Sequence, residues 1–363
     1  MRHSSAVARA SRSRGSVTFT PKESAGKLVV PIKVDVSQLG GTTAVVFEKV
    51  SQNGKDIAKH ENPGDKDQIV HVVHIGTVAT DAADGDKYLE EKDGTVTVND
   101  EVSYSGLVPG EEYTMTGTLH RIANDGTDGG AIDGATGTVT FTPDATAGKV
   151  IVPIRLDVSQ LGGTTVVAFE RVSQNGKDVA KHENPNDKDQ IVHVVRIGTT
   201  ATDANDGDHD VEDASKKVVI HDDVKYDGLV PGTTYTMTGT LHLVGEDGSD
   251  AGVLKDASGK DVTVSSEFIP QASSGSVTIE FKFNLKDAKQ YDGRKVVAFE
   301  ECSESGRHVA AHADVHDENQ IVTLHVPAPI MQTGDSMTAV GVATIGVAVI
   351  AGIAITIRRR MTK

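Results

Sequence analysis

The chain has 363 residues, with 52 acidic against 36 basic side chains and a formal net charge of −16, which argues against nucleic acid as a partner because phosphates need a basic surface. Its one cysteine, Cys302, excludes an intrachain disulfide, and the length allows two or three domains of roughly 100–200 residues each. Trp is absent, and 37 glycines with only 4% aromatic residues favour short strands and turns over a helical bundle.

The first segment, residues 1–15, reads MRHSSAVARASRSRG and is predicted to be unstructured. It has no apolar core of the kind that a secretory signal peptide needs. Because the other end of the chain indicates an exported protein, we expect this sequence to start inside a larger gene product.

The middle of the chain repeats itself with a period of about 120–130 residues. The motif V-x-F-E ends at Glu48, Glu170 and Glu300, and the stretches around the first two are nearly identical. The copies are residues 16–73, which match only the back half of a repeat, and residues 74–195 and 196–326, which are complete. The half copy lacks its front strands, so we expect it to expose a sheet edge and to be disordered or prone to aggregation.

Each repeat has the pattern of β-structure. Short apolar runs such as KVIVPIRLDV and YTMTGTLH are separated by turn clusters such as LVPG and QNG, and strands recur about every ten residues. This pattern predicts an all-β protein built from tandem Ig-like β-sandwich domains.

Five polar residue types recur at matching places in the complete repeats. In residues 74–195 they are Thr77, Asp100, Glu170, His182 and Gln190, and in residues 196–326 they are Thr199, Asp222, Glu300, His312 and Gln320. The half copy keeps Glu48, His60 and Gln68, but this chain holds no Thr partner for that Gln. The last copy has diverged around its His and still keeps the spacing of Glu, His and Gln, which weakens recent duplication as the explanation.

These residue types can form an ester. A Thr hydroxyl is a weak nucleophile until a base takes its proton, and a His held by a carboxylate can take that proton and return one to a leaving group. A Gln side chain is an acyl group whose leaving group is ammonia. A folded core would hold the two partners at high effective molarity, which so slow an acyl transfer requires. The pattern therefore favours an intramolecular Thr–Gln cross-link.

At these residues the sequence resembles the VaFE-repeat surface proteins, and specifically their Thr–Gln ester-bond domains, which occur in cell-wall-anchored adhesins and pilin-like stalks of Gram-positive bacteria. The motifs I-x-T-x-A, D-x-V-x-Y, V-x-F-E and H-x7-Q carry the resemblance, which covers residues 16–326. It implies esters between Thr77 and Gln190 and between Thr199 and Gln320.

The resemblance also implies the roles of the other residues. His182 and His312 would act as acid and base, assisted by Asp100 and Glu170 in one repeat and by Asp222 and Glu300 in the other. Each set would act once per molecule without metal or cofactor, so the chain would not be a turnover enzyme. Thr80 and Thr202 lie three residues beyond the favoured Thr residues and remain alternative nucleophiles.

Other readings of the same residues are less specific. A polar stretch such as HENPNDKDQ is typical of a solvated loop, and its alternating Asp and Asn resemble a calcium loop without the Gly and the bidentate Glu of an EF-hand. A calcium- or glycan-binding surface module without cross-links is therefore the alternative function. A secreted hydrolase would need a nucleophile elbow such as G-x-S-x-G, which the sequence lacks.

The end of the chain predicts anchoring at the cell surface. Residues 327–336 form a linker with an LPxTG-like sorting motif, in which a sortase would cut between Thr333 and Gly334 and join the protein to peptidoglycan or a pilus. Residues 337–357 are uncharged and long enough for one transmembrane helix. The basic tail, residues 358–363, is expected in the cytoplasm, with the repeats outside. The sequence identifies no host ligand.

Overall fold

The computed structural model describes residues 13–328. Within this range every regular element is a β-strand or a short 3-10 helix, which confirms the all-β prediction. No helix in the described range is long and apolar enough to cross a membrane. The predicted transmembrane helix, residues 337–357, lies outside the described residues, as do the sorting residues Thr333 and Gly334 and the basic tail.

The half repeat contains four short strands and one 3-10 helix. They are β1 (Thr43–Val45), β2 (Glu48–Gln52), β3 (Lys55–His60), the 3-10 helix Lys66–Gln68 and β4 (Ile69–His71). β2 and β3 form a hairpin whose turn, Asn53–Gly54, has positive φ at both residues, as Asn-Gly turns favour. β1 pairs with β4. The half repeat is therefore not wholly disordered, because these pairings join residues close in sequence, although many of its apolar side chains are exposed.

The first complete repeat contains nine strands in two sheets. The strands are β5 (His74–Asp81), β6 (Tyr88–Glu90), β7 (Thr95–Ser105), β8 (Tyr113–Ile122), β9 (Asp128–Phe141), β10 (Ala147–Asp157), β11 (Thr165–Gln174), β12 (Lys177–His182) and β13 (Ile191–Gly198). One sheet has the order β10-β7-β5, and the other joins β6, β13, β11, β8 and β9, with β12 beside β11. Val102 and Ile154 from the first sheet and Met115 and Val166 from the second belong to one buried core, so the sheets form a sandwich.

The second complete repeat has the same plan. Its strands are β14 (Ala201–Asp203), β15 (Asp210–Val211), β16 (Val218–Asp227), β17 (Tyr235–Val244), β18 (Asp250–Val253), β19 (Thr263–Phe268), β20 (Ser274–Phe283), β21 (Arg294–Glu304), β22 (Arg307–His312) and β23 (Ile321–Leu324). β14, β16 and β20 form one sheet, and β15, β23, β21, β17 and β18 form the other, with β19 beside β17 and β22 beside β21.

The complete repeats are joined by a continuous strand. The first part of β13 pairs with β11 of the first repeat, with Val192 opposite Val166. Its last part pairs with β16 of the second repeat, with Ile197 opposite Tyr226. The repeat boundary therefore falls inside β13, and no loop separates the two sandwiches.

Candidate functional site

Thr77 lies on the buried face of β5, together with Ile75 and Ala79. β5 pairs antiparallel with β7, and this register places Ala79 opposite Asp100. Opposite residues of paired strands face the same side of a sheet, so Thr77 and Asp100 both point into the sandwich. The Thr77 hydroxyl donates a hydrogen bond to Oδ1 of Asp100, whose side chain is completely buried.

The second complete repeat reproduces this contact. The buried Thr199 hydroxyl donates to Oδ1 of Asp222, which is also completely buried. The alternative nucleophiles Thr80 and Thr202 are only partly buried. Thr80 lies three residues along β5 from Thr77, and Thr202 follows the residue that stands opposite Asp222, so both point away from the carboxylate.

The Gln residues reach the site from the other sheet. Gln190 ends a 3-10 helix, Lys188–Gln190, directly before β13. It is completely buried, and its Nε2 donates a hydrogen bond to Oε2 of Glu170 in β11. In the second repeat Gln320 donates to Oε2 of Glu300 at 2.6 Å.

The two buried carboxyl groups of each repeat lie close enough to shift each other's pKa. Burial, followed by the neighbouring charge of Asp100, raises the pKa of Glu170 to about 10. Burial also raises the pKa of Asp100 to about 6, against the hydrogen bond from Glu170 and the charge of His182, which lower it. At neutral pH Glu170 therefore holds the proton and Asp100 is mostly ionised, as expected when two buried carboxyl groups share a site.

The carboxyl pair of the second repeat has the same order of pKa values. Burial, followed by the charge of Asp222, raises the pKa of Glu300 to about 11. The pKa of Asp222 is raised by burial to about 6. In both repeats a hydroxyl, an ionised carboxylate, a carboxylic acid and a carboxamide thus form one continuous buried set.

The His residues stand at the edge of this set. His182 lies in β12 opposite Glu170, and its Nε2 is 2.9 Å from Oδ2 of Asp187. His312 is 3.0 Å from Asp317 in the same way. The group that contacts the Thr hydroxyl is therefore an Asp, and the acid–base role assigned to the His residues remains a prediction.

All three copies match one domain family. The sequence profile of the T-Q ester bond containing domain matches residues 3–72, 73–194 and 195–324. The chain belongs to this family. Its two complete repeats are T-Q domains, and residues 3–72 match the same family.

Two of the solved structures that match the chain are only distantly similar to it. A bacterial adhesin from Mobiluncus mulieris, described as containing intramolecular disulfide, isopeptide and ester bond cross-links, is 15% identical over 64% of this chain and 80% of its own, with a TM-score of 0.31. The C-terminal domain of the AgI/II polypeptide BspA from Streptococcus agalactiae is 9% identical over 70% of this chain and all of its own, with a TM-score of 0.32. Among curated proteins, none matches this chain.

The Asp that forms a hydrogen bond with each His was not predicted from the sequence. Asp187 caps the 3-10 helix that ends at Gln190, because its Oδ1 accepts a hydrogen bond from the backbone N–H of Asp189. Its other oxygen contacts His182. A signal was present in the sequence, since an Asp stands three residues before the Gln in all three copies, at Asp65, Asp187 and Asp317. Asp187 belongs to the alternating Asp and Asn residues that resemble a calcium loop. Its contacts with His182 and Asp189 explain its position without a calcium ion.

A glycine makes room for the carboxyl pair. Gly117 in β8 stands opposite Glu170, and a Cβ atom there would lie 2.8 Å from Cδ1 of Ile154 and 3.5 Å from Oδ2 of Asp100. Gly239 stands opposite Glu300 in the same way. Glycine inside the strand pattern YTMTGTLH was the available signal, since it marks a close approach.

Lys87 also contacts the backbone beside the candidate site of the first T-Q domain. Its Nζ donates to the backbone oxygen of Asp189 at 2.7 Å, next to Gln190. Its charge also lowers the pKa of Asp100, against the larger effect of burial, which raises it. His209 takes the corresponding position in the second domain, so this charge is not common to both.

Proposed function

We propose that each complete T-Q domain closes one intramolecular ester, Thr77 to Gln190 and Thr199 to Gln320, and that the chain is a stalk segment of a cell-surface adhesin. The observation that carries the proposal is the continuous buried set of Thr hydroxyl, Asp–Glu carboxyl pair and Gln carboxamide, present twice with the same partners.

The protonation states of the carboxyl pair suit the reaction. Ionised Asp100 accepts the proton of Thr77, and the freed Oγ1 attacks Cδ of Gln190. Protonated Glu170, which already contacts Nε2, gives its proton to that nitrogen. The Cδ–Nε2 bond breaks and ammonia leaves, so one hydroxyl and one carboxamide become one ester and one ammonia. The proton taken up by Asp100 then returns to Glu170, whose pKa is the higher of the two.

Burial supports the formation and the persistence of the bond. The reacting groups are fixed by the fold, so no entropy is lost in bringing them together at the moment of reaction. A dry site also strengthens the attraction between the charges that develop there, and it keeps out the water that would hydrolyse the ester. His182 assists from outside this set, because a positive charge on its ring lowers the pKa of Asp100.

The position of the two esters suits a load-bearing stalk. Thr77 is close to the start of its domain, and Gln190 is close to the end, directly before β13. β13 then leads without a loop to Thr199, the cross-linked residue of the next domain. Tension along the chain would pass from Thr77 through Gln190 and β13 to Thr199 and Gln320, and the strands between the linked residues would carry no load.

The first test is the intact mass of the chain. We expect the protein to be lighter than its sequence by two ammonias, with Gln190→Ala and Gln320→Ala each restoring one. Gln271→Ala, at an exposed turn, is the matched control and should leave both losses in place. A chain at its full sequence mass would overturn the proposal, and melting that then depended on calcium would favour a calcium-binding module. Asp206, Asp208 and Glu212, exposed and with carboxylate oxygens within 4.8 Å of one another, would be the first residues to mutate in that case.

The anchor is proposed from the sequence. We expect a sortase to accept the motif around Thr333, so that the repeats become attached to peptidoglycan or to a pilus outside the membrane. Thr333→Ala should move the protein from the cell-wall fraction to the membrane fraction of the bacterium, whereas Thr323→Ala should not. An unchanged wall fraction in Thr333→Ala would contradict sorting at this motif and leave the apolar segment 337–357 as a plain membrane anchor.

A further inference from the structure

The two hydrogen bonds of the reacting groups in the first domain each stay on one side of the sandwich. Thr77 and its acceptor Asp100 lie on β5 and β7, which belong to one sheet. Gln190 directly precedes β13, and its acceptor Glu170 lies on β11, so both belong with the other sheet. Neither bond brings the hydroxyl towards the carboxamide, although the attack needs the reacting atoms about 3–3.5 Å apart. A contact that joins the two sheets beside these residues would therefore set the geometry of the reaction.

Lys87 makes such a contact. Its Nζ donates a hydrogen bond to the backbone oxygen of Ala79 on β5, and a second one, at 2.7 Å, to the backbone oxygen of Asp189. Ala79 lies two residues beyond Thr77 on the same face of the strand, and Asp189 directly precedes Gln190 in the 3-10 helix. One ammonium group thus joins the backbone beside the nucleophile to the backbone beside the acyl donor.

The backbone of Lys87 is fixed on the Gln190 side of the site. Its carbonyl oxygen accepts a hydrogen bond of 2.8 Å from the N–H of His193 in β13, and the next residue, Tyr88, begins β6, which pairs in parallel with β13. β5, in contrast, lies at the edge of its sheet, with β7 on one side. An edge strand opens locally more easily than a central one. The bond from Lys87 to Ala79 therefore restrains the strand that carries the nucleophile.

This position is an unusual one for a lysine. The side chain is partly buried, and burial lowers the pKa of its ammonium group, against the charges of Asp189 and Asp100, which raise it. A lysine in a turn normally keeps its charge in water, because removing a charge from water is unfavourable unless it is paired or hydrogen-bonded. The two carbonyl acceptors offset this cost, and they hold the ammonium group at the point where the sheets meet.

We propose that Lys87 is a positioning residue for the first ester, and that it holds the strand of Thr77 against the 3-10 helix of Gln190 so that this ester forms faster than the one in the second domain. This inference rests on the ester chemistry proposed above. His209 takes the corresponding position in the second domain and keeps the backbone hydrogen bond, in this case from Thr323. Its ring is exposed and forms no hydrogen bond with a described residue. The second domain therefore aligns its reacting groups without this bridge.

The test follows both esters in one sample. The full 363-residue chain, kept in detergent because of its apolar segment 337–357, is isolated under denaturing conditions at its full sequence mass. It is then folded at neutral pH, and samples are quenched in acid, digested and mapped by mass for the two cross-linked peptide pairs. We expect the first ester to precede the second in the wild type. Lys87→Met should slow the first ester on the order of 10-fold to 100-fold, as expected when reacting groups are displaced by about 1 Å, and should leave the second unchanged.

Three companion variants distinguish positioning from a general effect on folding. Lys87→Arg keeps a cation whose planar fork can donate to two carbonyl oxygens, so it should restore most of the rate of the first ester. His209→Lys should give the second domain the same bridge and accelerate the second ester. Lys149→Met is the matched control, because it removes an exposed lysine of the first domain that pairs with Glu101, and it should leave both rates unchanged.

The outcomes separate this inference from the proposed function. If the second ester formed first, or if Lys87→Met left the first ester as fast as in the wild type or slowed both esters equally, the positioning role would be wrong and the esters would stand. If Lys87→Arg failed to restore the first ester and His209→Lys failed to accelerate the second, Lys87 would act only on the folding of its domain, which would also overturn the inference. A wild-type chain that keeps its full sequence mass after folding would overturn the proposed function itself.

Discussion

Replacing Asp100 by Asn should abolish the first ester and leave the second intact, so that the chain loses one ammonia instead of two. The carboxamide in Asp100→Asn would keep the shape of the side chain but could not take the proton from Thr77. Loss of a general base slows a reaction by roughly 10²–10⁴-fold, and with so slow an acyl transfer the bond should not form on the time scale of expression and purification. Intact mass, compared with the calculated mass of the variant, measures the outcome.

Two companion variants make this result specific. Glu101→Gln changes the neighbouring carboxylate of β7, which faces the other side of the sheet and pairs with Lys149, and it should leave both ammonias lost. His182→Ala should slow the first ester without abolishing it, because the His acts on Asp100 through its charge. If Asp100→Asn still formed the bond and His182→Ala did not, the His would be the base after all.

The same geometry predicts the pH dependence of bond formation in the wild-type protein. Asp100 and Asp222 must be ionised, and their pKa values are about 6, so the rate should fall as the pH drops below that value. Glu170 and Glu300 must be protonated, and their pKa values of about 10 and 11 place the upper limit there. Chain isolated under denaturing conditions at its full sequence mass, and then folded at a series of pH values and sampled by mass, would give a plateau between these limits.

Much of the site could be predicted because its members repeat at matching positions in the sequence. The choice between Thr77 and Thr80 depended on the face of the strand, since residues three apart in a strand point to opposite sides. The alternation of Ile75, Thr77 and Ala79 as small or apolar residues carried that information. The contact between Thr77 and Asp100 could not be read from spacing, because it depends on the pairing register of β5 with β7.

Two further differences between the sequence-based predictions and the structure, at the repeat boundary and in the half repeat, also have physical reasons. The boundary between the complete repeats was placed between Val195 and Arg196, where the structure has a continuous strand. No Gly or Pro interrupts residues 191–197, and that absence of a turn signal is what a strand shared by two domains requires. The half repeat keeps local structure because a hairpin and a 3-10 cap involve neighbouring residues, whereas its sandwich needs strands that are distant in sequence.

Loss of one cross-link should cost the first domain about 4–5 kcal/mol in free energy of unfolding. The ester closes a loop from Thr77 to Gln190, and a cross-link across about 100 residues removes that much conformational free energy from the unfolded chain in the entropy model used for disulfides. For a domain of this size the melting temperature should fall by roughly 10–20 °C. Calorimetry of the full chain with Gln190→Ala measures the shift, and the transition of the second domain serves as the internal reference.

A double-mutant cycle separates the cross-link from the packing of the two side chains. Thr77→Val keeps the shape of the side chain and removes the hydroxyl, so it should destabilise the domain much as Gln190→Ala does. The two variants delete the same bond, so the double variant should be about 4–5 kcal/mol more stable than the sum of the single effects predicts. Thr77→Ser keeps a hydroxyl, should still lose its ammonia, and should stay close to the wild type in stability. Additive effects of the two deletions would instead mean that each residue contributes only its own contacts, because two halves of one covalent bond cannot be lost twice.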